Sequence, residues 1–146
     1  MSHPFITEVE LRWSDLDPNF HVRHSVYYDF CAYARIRFLN SLQITPEFMA
    51  ANNIGPILFR EESVFRRELA MGDQVQIHLD LIKARKDFSR WSIQHHIYKA
   101  ESILAAVVTV DGAWIDTSRR KLTVPPEKVV EVFNHMPRHE RFEWIN

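Results

Sequence analysis

The sequence predicts an α+β fold, an antiparallel sheet of about five strands wrapped around one long buried helix. Three observations carry that prediction. A short alternating segment opens the chain, a long aromatic-rich stretch with helical spacing follows it, and nearly everything after "IGP" at Ile54 to Pro56 alternates with the two-residue period of strands. The helical stretch is apolar around so much of its circumference that other structure has to enclose it.

Phe5, Thr7, Val9, Leu11 and Trp13 alternate with Ile6, Glu8, Glu10 and Arg12, which predicts a half-buried strand from Phe5 to Trp13. Ser14 to Ser25 reads as a loop, with Asp, Pro and Asn as turn formers and Ser25 as the expected helix N-cap. Val26 to Leu42 is the long helix: Tyr27, Phe30, Cys31, Ala34, Phe38 and Leu42 recur near helical spacing, and Tyr28, Tyr33, Ile36 and Leu39 widen the apolar surface. Arg35 and Arg37 fall toward its C-terminal end, where cations suit the helix dipole. "TPEFMAANN", Thr45 to Asn53, reads as a short capped helix.

Strands follow at Ile57 to Leu69, at Val75 to Leu81 after the Gly72-Asp73 turn, at Phe88 to Tyr98 and at Ile103 to Ile115. The run "ILAAVVTV" is apolar on both faces, as a central strand covered on both sides requires. Pro125-Pro126 stops the sheet, Glu127 to Met136 reads as a terminal helix, and the tail to Asn146 has no clear period. Without repeats, low-complexity tracts or linkers, residues 1–146 are expected to form a single domain.

Eighteen Lys and Arg against nineteen Asp and Glu leave a formal charge of -1, which excludes bulk attraction to nucleic acid or to an anionic membrane. Any anion site has to be local. No basic segment leads into a long apolar run, so a cytoplasmic protein without a membrane span is the expectation. The single Cys31 has no internal disulfide partner and sits among Tyr28, Phe30 and Tyr33, where a buried, inert thiol is expected.

The stretch "SDLDPNFHVRHSVYYDF", Ser14 to Phe30, crowds two acids and two histidines against the start of the apolar helix. Together with the element order, "DLDPNFHVRHSVYYDFCAYAR" resembles the hotdog-fold acyl-CoA thioesterases of the 4-hydroxybenzoyl-CoA thioesterase type. In that family a strand ends in an Asp-x-Asp loop followed by a Gly-His-Val step, an Asn or His, a Tyr and the buried helix. Here those places hold Asp15, Asp17, Phe20-His21-Val22, His24 and Tyr27. Weaker echoes are "GDQV", "DFSRWSIQ", "VDGAWIDTSRRK" and Pro125. Two positions depart from the pattern: Phe20 stands where the family commonly has Gly, and Ala32 where many relatives carry Glu.

The resemblance implies a single hotdog domain that hydrolyses an acyl-CoA or acyl-carrier thioester, with Asp17 as nucleophile or as general base on water. The backbone N–H groups of His24, Ser25, Val26 and Tyr27, at the helix start, would polarise the thioester carbonyl. His21 would hold the loop and His24 line the acyl pocket. Tyr27, Phe30 and Tyr33 would build that pocket with Ile57, Leu58 and Phe59. Coenzyme A phosphates would meet basic residues, for which Lys83, Arg85, Lys86 and Arg90 form one cluster and Arg119, Arg120 and Lys121 another. A homodimer or homotetramer with pockets between subunits is implied, with no cofactor apart from the CoA thioester substrate.

On the residues alone, Asp17 also fits a turn-capping role and Ser25 an N-cap role. His21 and His24 lack further ligands at metal spacing, so no metal is expected. His95 shares a strand face with Trp91, Ile93 and Ile97 and reads as a satisfied core or interface histidine. Two other functions stay open: an enoyl-thioester hydratase, although His21 follows Asp17 one residue too early for that signature, and a non-catalytic module binding an acyl thioester or a protein, which Phe20 and Ala32 favour.

Overall fold

A computed structural model describes residues 4–146, so the first three residues of the expected domain lie outside the described part. Its elements in chain order are β1 (Ile6–Val9), a single 3-10 turn (Trp13–Asp15), α1 (Val26–Ser41), α2 (Pro46–Ala51), β2 (Ile54–Phe65), β3 (Val75–Ala84), β4 (Arg90–Lys99), β5 (Ile103–Asp116), β6 (Lys121–Leu122), α3 (Glu127–Asn134) and β7 (Arg138–Trp144). The main sheet runs β1-β3-β4-β5-β2, all neighbours antiparallel, and α1 packs on it. The expected sheet around a helix is the observed architecture.

The core follows from the patterns. Val75, Ile77, Leu79 and Leu81 on β3 face inward with Ile93 and Ile97 on β4 and with Val108 and Val110 on β5. Against them α1 places Tyr27, Phe30, Cys31, Ala34 and Phe38, all buried. At the far end α3 brings Phe133 within 5.8 Å of both the Trp91 and the Trp114 ring centroids. Burying such side chains is worth about 1.5–3 kcal/mol each, which is what holds the helix to the sheet.

Several expectations are corrected, each for a tertiary reason. The first strand stops at Val9 rather than Trp13 because Val9 pairs with Val75, the first residue of β3, and no partner strand extends beyond it. The second long strand spans Ile54–Phe65, not Ile57 to Leu69. It starts where Ile54 meets Asp116, and it ends where the N–H groups of Arg66 and Arg67 both donate to the Ala105 carbonyl, a β-bulge. Ser25 has helical angles and makes no capping hydrogen bond, because the chain already turns at Arg23, whose carbonyl accepts from Val26 N–H at 2.9 Å. The helix is not enclosed all round: Asp29, Ala32, Tyr33, Arg37 and Asn40 lie on one face that the sheet leaves uncovered, and all five are exposed.

The tail, for which the sequence predicts no element, adds β7 at Arg138–Trp144, parallel to β3 through Leu81↔Arg138, Lys83↔Glu143 and Ala84↔Trp144. It fills the half of β3's edge that the short β1 leaves bare. Thr45 caps α2 as expected, its hydroxyl accepting from Phe48 N–H at 3.1 Å. Among the described residues no helix is long and apolar enough to cross a membrane.

Candidate functional site

The loop before α1 gives its two acids different work. Asp15 is buried, 1% exposed, and its carboxylate takes Arg12 backbone N–H at 2.9 Å and Arg12 Nη2 at 2.9 Å. Burial opposes its ionisation, but the hydrogen bonds and charge of Arg12 outweigh that and hold the carboxyl below its ordinary range. Its own carbonyl receives Arg23 N–H at 2.8 Å, so Asp15 ties the two ends of the loop together.

Asp17 shapes the turn that follows. Its Oδ1 accepts from Asn19 N–H at 2.9 Å and from His21 N–H at 3.2 Å, while its carbonyl accepts from Phe20 N–H at 2.9 Å. The other carboxylate oxygen, Oδ2, has no hydrogen-bond partner among the described residues. Asp17 therefore caps a turn with one oxygen and keeps the second free. Phe20 adopts φ 63°, the left-handed conformation that glycine provides at no steric cost, and its exposed ring rests against Trp13 with centroids 6.2 Å apart.

The loop is sewn to the segment after β2. Val22 N–H donates to the Leu69 carbonyl at 2.8 Å, His21 bridges Ala70, and His21 Nε2 lies 3.0 Å from Glu68 Oε2. These contacts create a cleft of about 370 Å³. Asp17, Asn19, His21, Val22, His24 and Tyr27 form one wall; Phe65, Arg66, Arg67 and Glu68 form the other. Tyr27 is buried with its ring edge-on to Phe65 at 4.9 Å, and burial pushes its phenol above the ordinary tyrosine range. At the start of α1 the N–H groups of His24 and Ser25 have no acceptor among the described residues, whereas Val26 N–H is spent on Arg23. A free carboxylate oxygen and free amide donors beside one cleft can activate a nucleophile and stabilise an oxyanion.

Other residues expected at the site lie elsewhere. Phe30 is buried in the core, and Tyr33, 50% exposed, sits on the bare face of α1. Phe59 belongs to a second cleft with Tyr28, Leu58, Arg60 and Glu61, where the Arg90 guanidinium lies 4.9 Å over its ring. Within the chain, the strand residue that meets Tyr27 is Phe65, at the opposite end of β2 from Ile57 to Phe59. The two basic clusters line no part of the Asp17 cleft. Lys83 pairs with Glu143 at 3.6 Å, Arg85 donates to the Asn146 carbonyl at 3.1 Å, and Arg119 and Arg120 belong to a turn closed on Asp116. Lys86 is exposed at the β3–β4 turn.

Phe65, Arg66, Arg67 and Glu68 carry no signal in the sequence because they sit where a bulge ends a strand, and only pairing with Ala105 defines that bulge. His95 is a satisfied core histidine, as its strand face predicts. Its Nδ1–H donates to the Val108 carbonyl at 2.9 Å, Arg35 Nη1 donates to its Nε2 at 3.3 Å, and burial together with the Arg35 charge pushes its pKa down to about 3. Cys31 is buried, and burial pushes its thiol up to about 12, which leaves it unreactive. No group of three or more potential metal ligands comes together among the described residues.

The sheet-wrapped helix and its loop-borne carboxylate define a hotdog domain. The sequence profile described as the thioesterase-like superfamily matches residues 11–133, and the chain belongs to that family. Solved structures share the fold. A 1,4-dihydroxy-2-naphthoyl-CoA thioesterase from Synechocystis superposes with a TM-score of 0.80 at 19% identity, covering 90% of this chain and 96% of that one. A Staphylococcus aureus protein solved in complex with CoA gives a TM-score of 0.84 at 17% identity over 95% of this chain and 89% of that one. A thioesterase from Thermus thermophilus, complexed with coenzyme A and Zn, gives 0.73 at 22% identity over 88% and 90%.

Proposed function

We propose that the protein is an acyl-CoA thioesterase, hydrolysing an acyl thioester to free acid and CoA. One observation carries the reading: Asp17 keeps Oδ2 free on the same cleft that His24 lines, and the N–H groups of His24 and its neighbour Ser25 have no acceptor among the described residues. The thioester carbonyl, seated between them, takes hydrogen bonds on its oxygen as negative charge develops there. Asp17 either draws a proton from the water that attacks the carbonyl carbon, or attacks that carbon itself and forms an anhydride that water then opens. In both routes the C–S bond breaks, the thiolate takes a proton, and water supplies the new acid oxygen.

The acyl group is read as entering along Tyr27, Val22 and Phe65. The left-handed φ of Phe20 favours turnover over mere binding, since the loop keeps a backbone geometry that suits the family's glycine. The working unit is read as a dimer: β2 lies at the end of the strand order, and Phe59, Val64 and Phe65 along it are 52%, 46% and 50% exposed, a pairing hazard unless covered.

The test is free-thiol release from a panel of short, long, branched and aromatic acyl-CoAs, wild type against Asp17→Asn. The amide keeps an acceptor for the turn but loses the charge, so release is expected to fall by about 100-fold or more while the fold is retained. Correctly folded wild type that cleaves none of the panel would remove the enzyme reading.

A further inference from the structure

We propose that His78, His96 and His139 form a proton-operated latch: neutral, the imidazole row seats the start of β7 on the sheet, and charged, it releases it. His78 alternates with the buried Ile77 and Leu79, so the row lies on the face of the sheet turned away from α1. It borders no part of the Asp17 cleft and does not depend on what that cleft binds.

Three strands bring the imidazoles together. His78 on β3 and His96 on β4 are directly opposite in the antiparallel register, which sets their side chains side by side on one face. The His139 ring of β7 stacks on His96, centroids 6.4 Å apart and planes 14° from parallel. Tyr98 closes the row, edge-on to His78 at 4.8 Å. His95, one residue along β4, points to the other face and is buried in the core.

The start of β7 depends on this row because its ladder is discontinuous. It bridges β3 at Leu81↔Arg138 and then at Lys83↔Glu143 and Ala84↔Trp144, so residues 139–142 have no bridge to the sheet among the described residues. His139 seats that stretch: its ring lies on His96, and its Nδ1 accepts Arg141 N–H at 3.0 Å. That bond requires an unprotonated Nδ1. His78 Nε2 is buried with no hydrogen-bond partner among the described residues, so a proton added to that ring leaves a buried cation without an acceptor.

The surrounding charges do not balance a protonated row. In the cleft of about 280 Å³ beside it, β3 contributes Asp80, and β7 the exposed Arg138 and Glu140. Tyr98 is the other titratable group there, Pro4 and Phe5 carry none, and β1 sets Ile6 opposite His78 with exposed Glu8 one pair further along. Two carboxylates in the cleft thus meet three imidazoliums and a guanidinium. Burial holds the imidazoles of His78 and His96 below their ordinary range, although Asp80 pulls the other way. Groups held down in the seated state take up protons on release, so acidification below about pH 6.5 favours release. Release bares the edge of β3 around Leu81 to pairing with another strand.

The test is amide exchange followed by NMR on the full chain from about pH 7.5 to about 5.5, corrected for intrinsic rates. Two amides report the latch: Leu81 N–H, which donates to the Pro137 carbonyl at 2.7 Å, and Arg141 N–H on His139. Val108 and Val110 on the central β5 report global opening. Protection of both reporters is expected to fall about 10-fold or more across the range while staying below that of Val108 and Val110, since each proton taken up on opening is worth up to about tenfold per pH unit. His96→Gln and His139→Gln, which keep a neutral polar side chain, are expected to flatten the reporters' pH dependence, whereas His95→Gln leaves it in place. Reporter protection that does not change with pH overturns the proposal, as does protection equal to that of Val108 and Val110 at every pH. The same pH dependence in wild type and in both latch variants also overturns it; where a variant does not fold, the wild-type profile decides.

Discussion

At the scale of the residue, Asp17 caps a turn with one carboxylate oxygen and leaves the other free, so the turn role is compatible with the catalytic one proposed for it. Asp17 Oδ1 holds the Asn19 and His21 amides, and the same bonds fix the direction of the oxygen left over. Phe20 is the complementary case, a side chain that the local geometry does not favour. Its left-handed φ costs about 1–2 kcal/mol, and glycine's greater freedom in the unfolded chain offsets about 0.4–1 kcal/mol of any relief. Phe20→Gly is therefore expected to stabilise the protein by roughly 0.5–1 kcal/mol, read as a higher urea midpoint at unchanged m. A lower midpoint would mean that the contact with Trp13 outweighs the strain.

At the scale of the element, β5 holds a position with no room for a side chain. Gly112 lies opposite Trp91 on β4 and beside the bulge of β2; a Cβ built there would collide with the Trp91 ring and stand 2.7 Å from the Ile57 carbonyl. Backbone cannot yield as a flexible side chain can, so Gly112→Ala is expected to cost about 1–3 kcal/mol, measured as a fall in the denaturant midpoint. The bulge at Arg66 and Arg67 is the element that shapes the cleft beside Asp17. It ends β2, turns two residues to one wall, and leads into the segment that receives the His21 loop.

At the scale of the whole molecule, buried imidazoles link folding to pH. His95 is fully buried and neutral in the fold, with its pKa pushed down to about 3, and burial also lowers His78 and His96, which face Asp80 and, for His96, His139. As pH falls below about 6.5 the unfolded chain takes up protons that the folded chain refuses, so stability is lost on acidification and is full above that range. Between pH 6.5 and 5 His95 alone is expected to remove about 2 kcal/mol, visible as a steep acid limb in urea-derived stabilities. His95→Gln should flatten that limb; an unchanged slope would place its cause in other groups.

The sheet and the buried helix are legible because alternation and helical spacing are local properties, and the loop acids because turn formers and motif residues are contiguous. Asp15 and Asp17 lie in the loop before α1 and Tyr27 in its first turn, and their separate contacts are ones the sequence does not contain. By itself, then, the sequence determined the α+β class, the order of the principal elements and the loop that carries the carboxylate. Only the tertiary structure decided which strand end faces Asp17 within the chain, why β1 stops at Val9, where β7 finds an edge, and that Phe65, Arg66 and Arg67 line the cleft beside Asp17. The reason is that pairing register and bulges are set between segments distant in the chain, and neither partner's residues encode them alone.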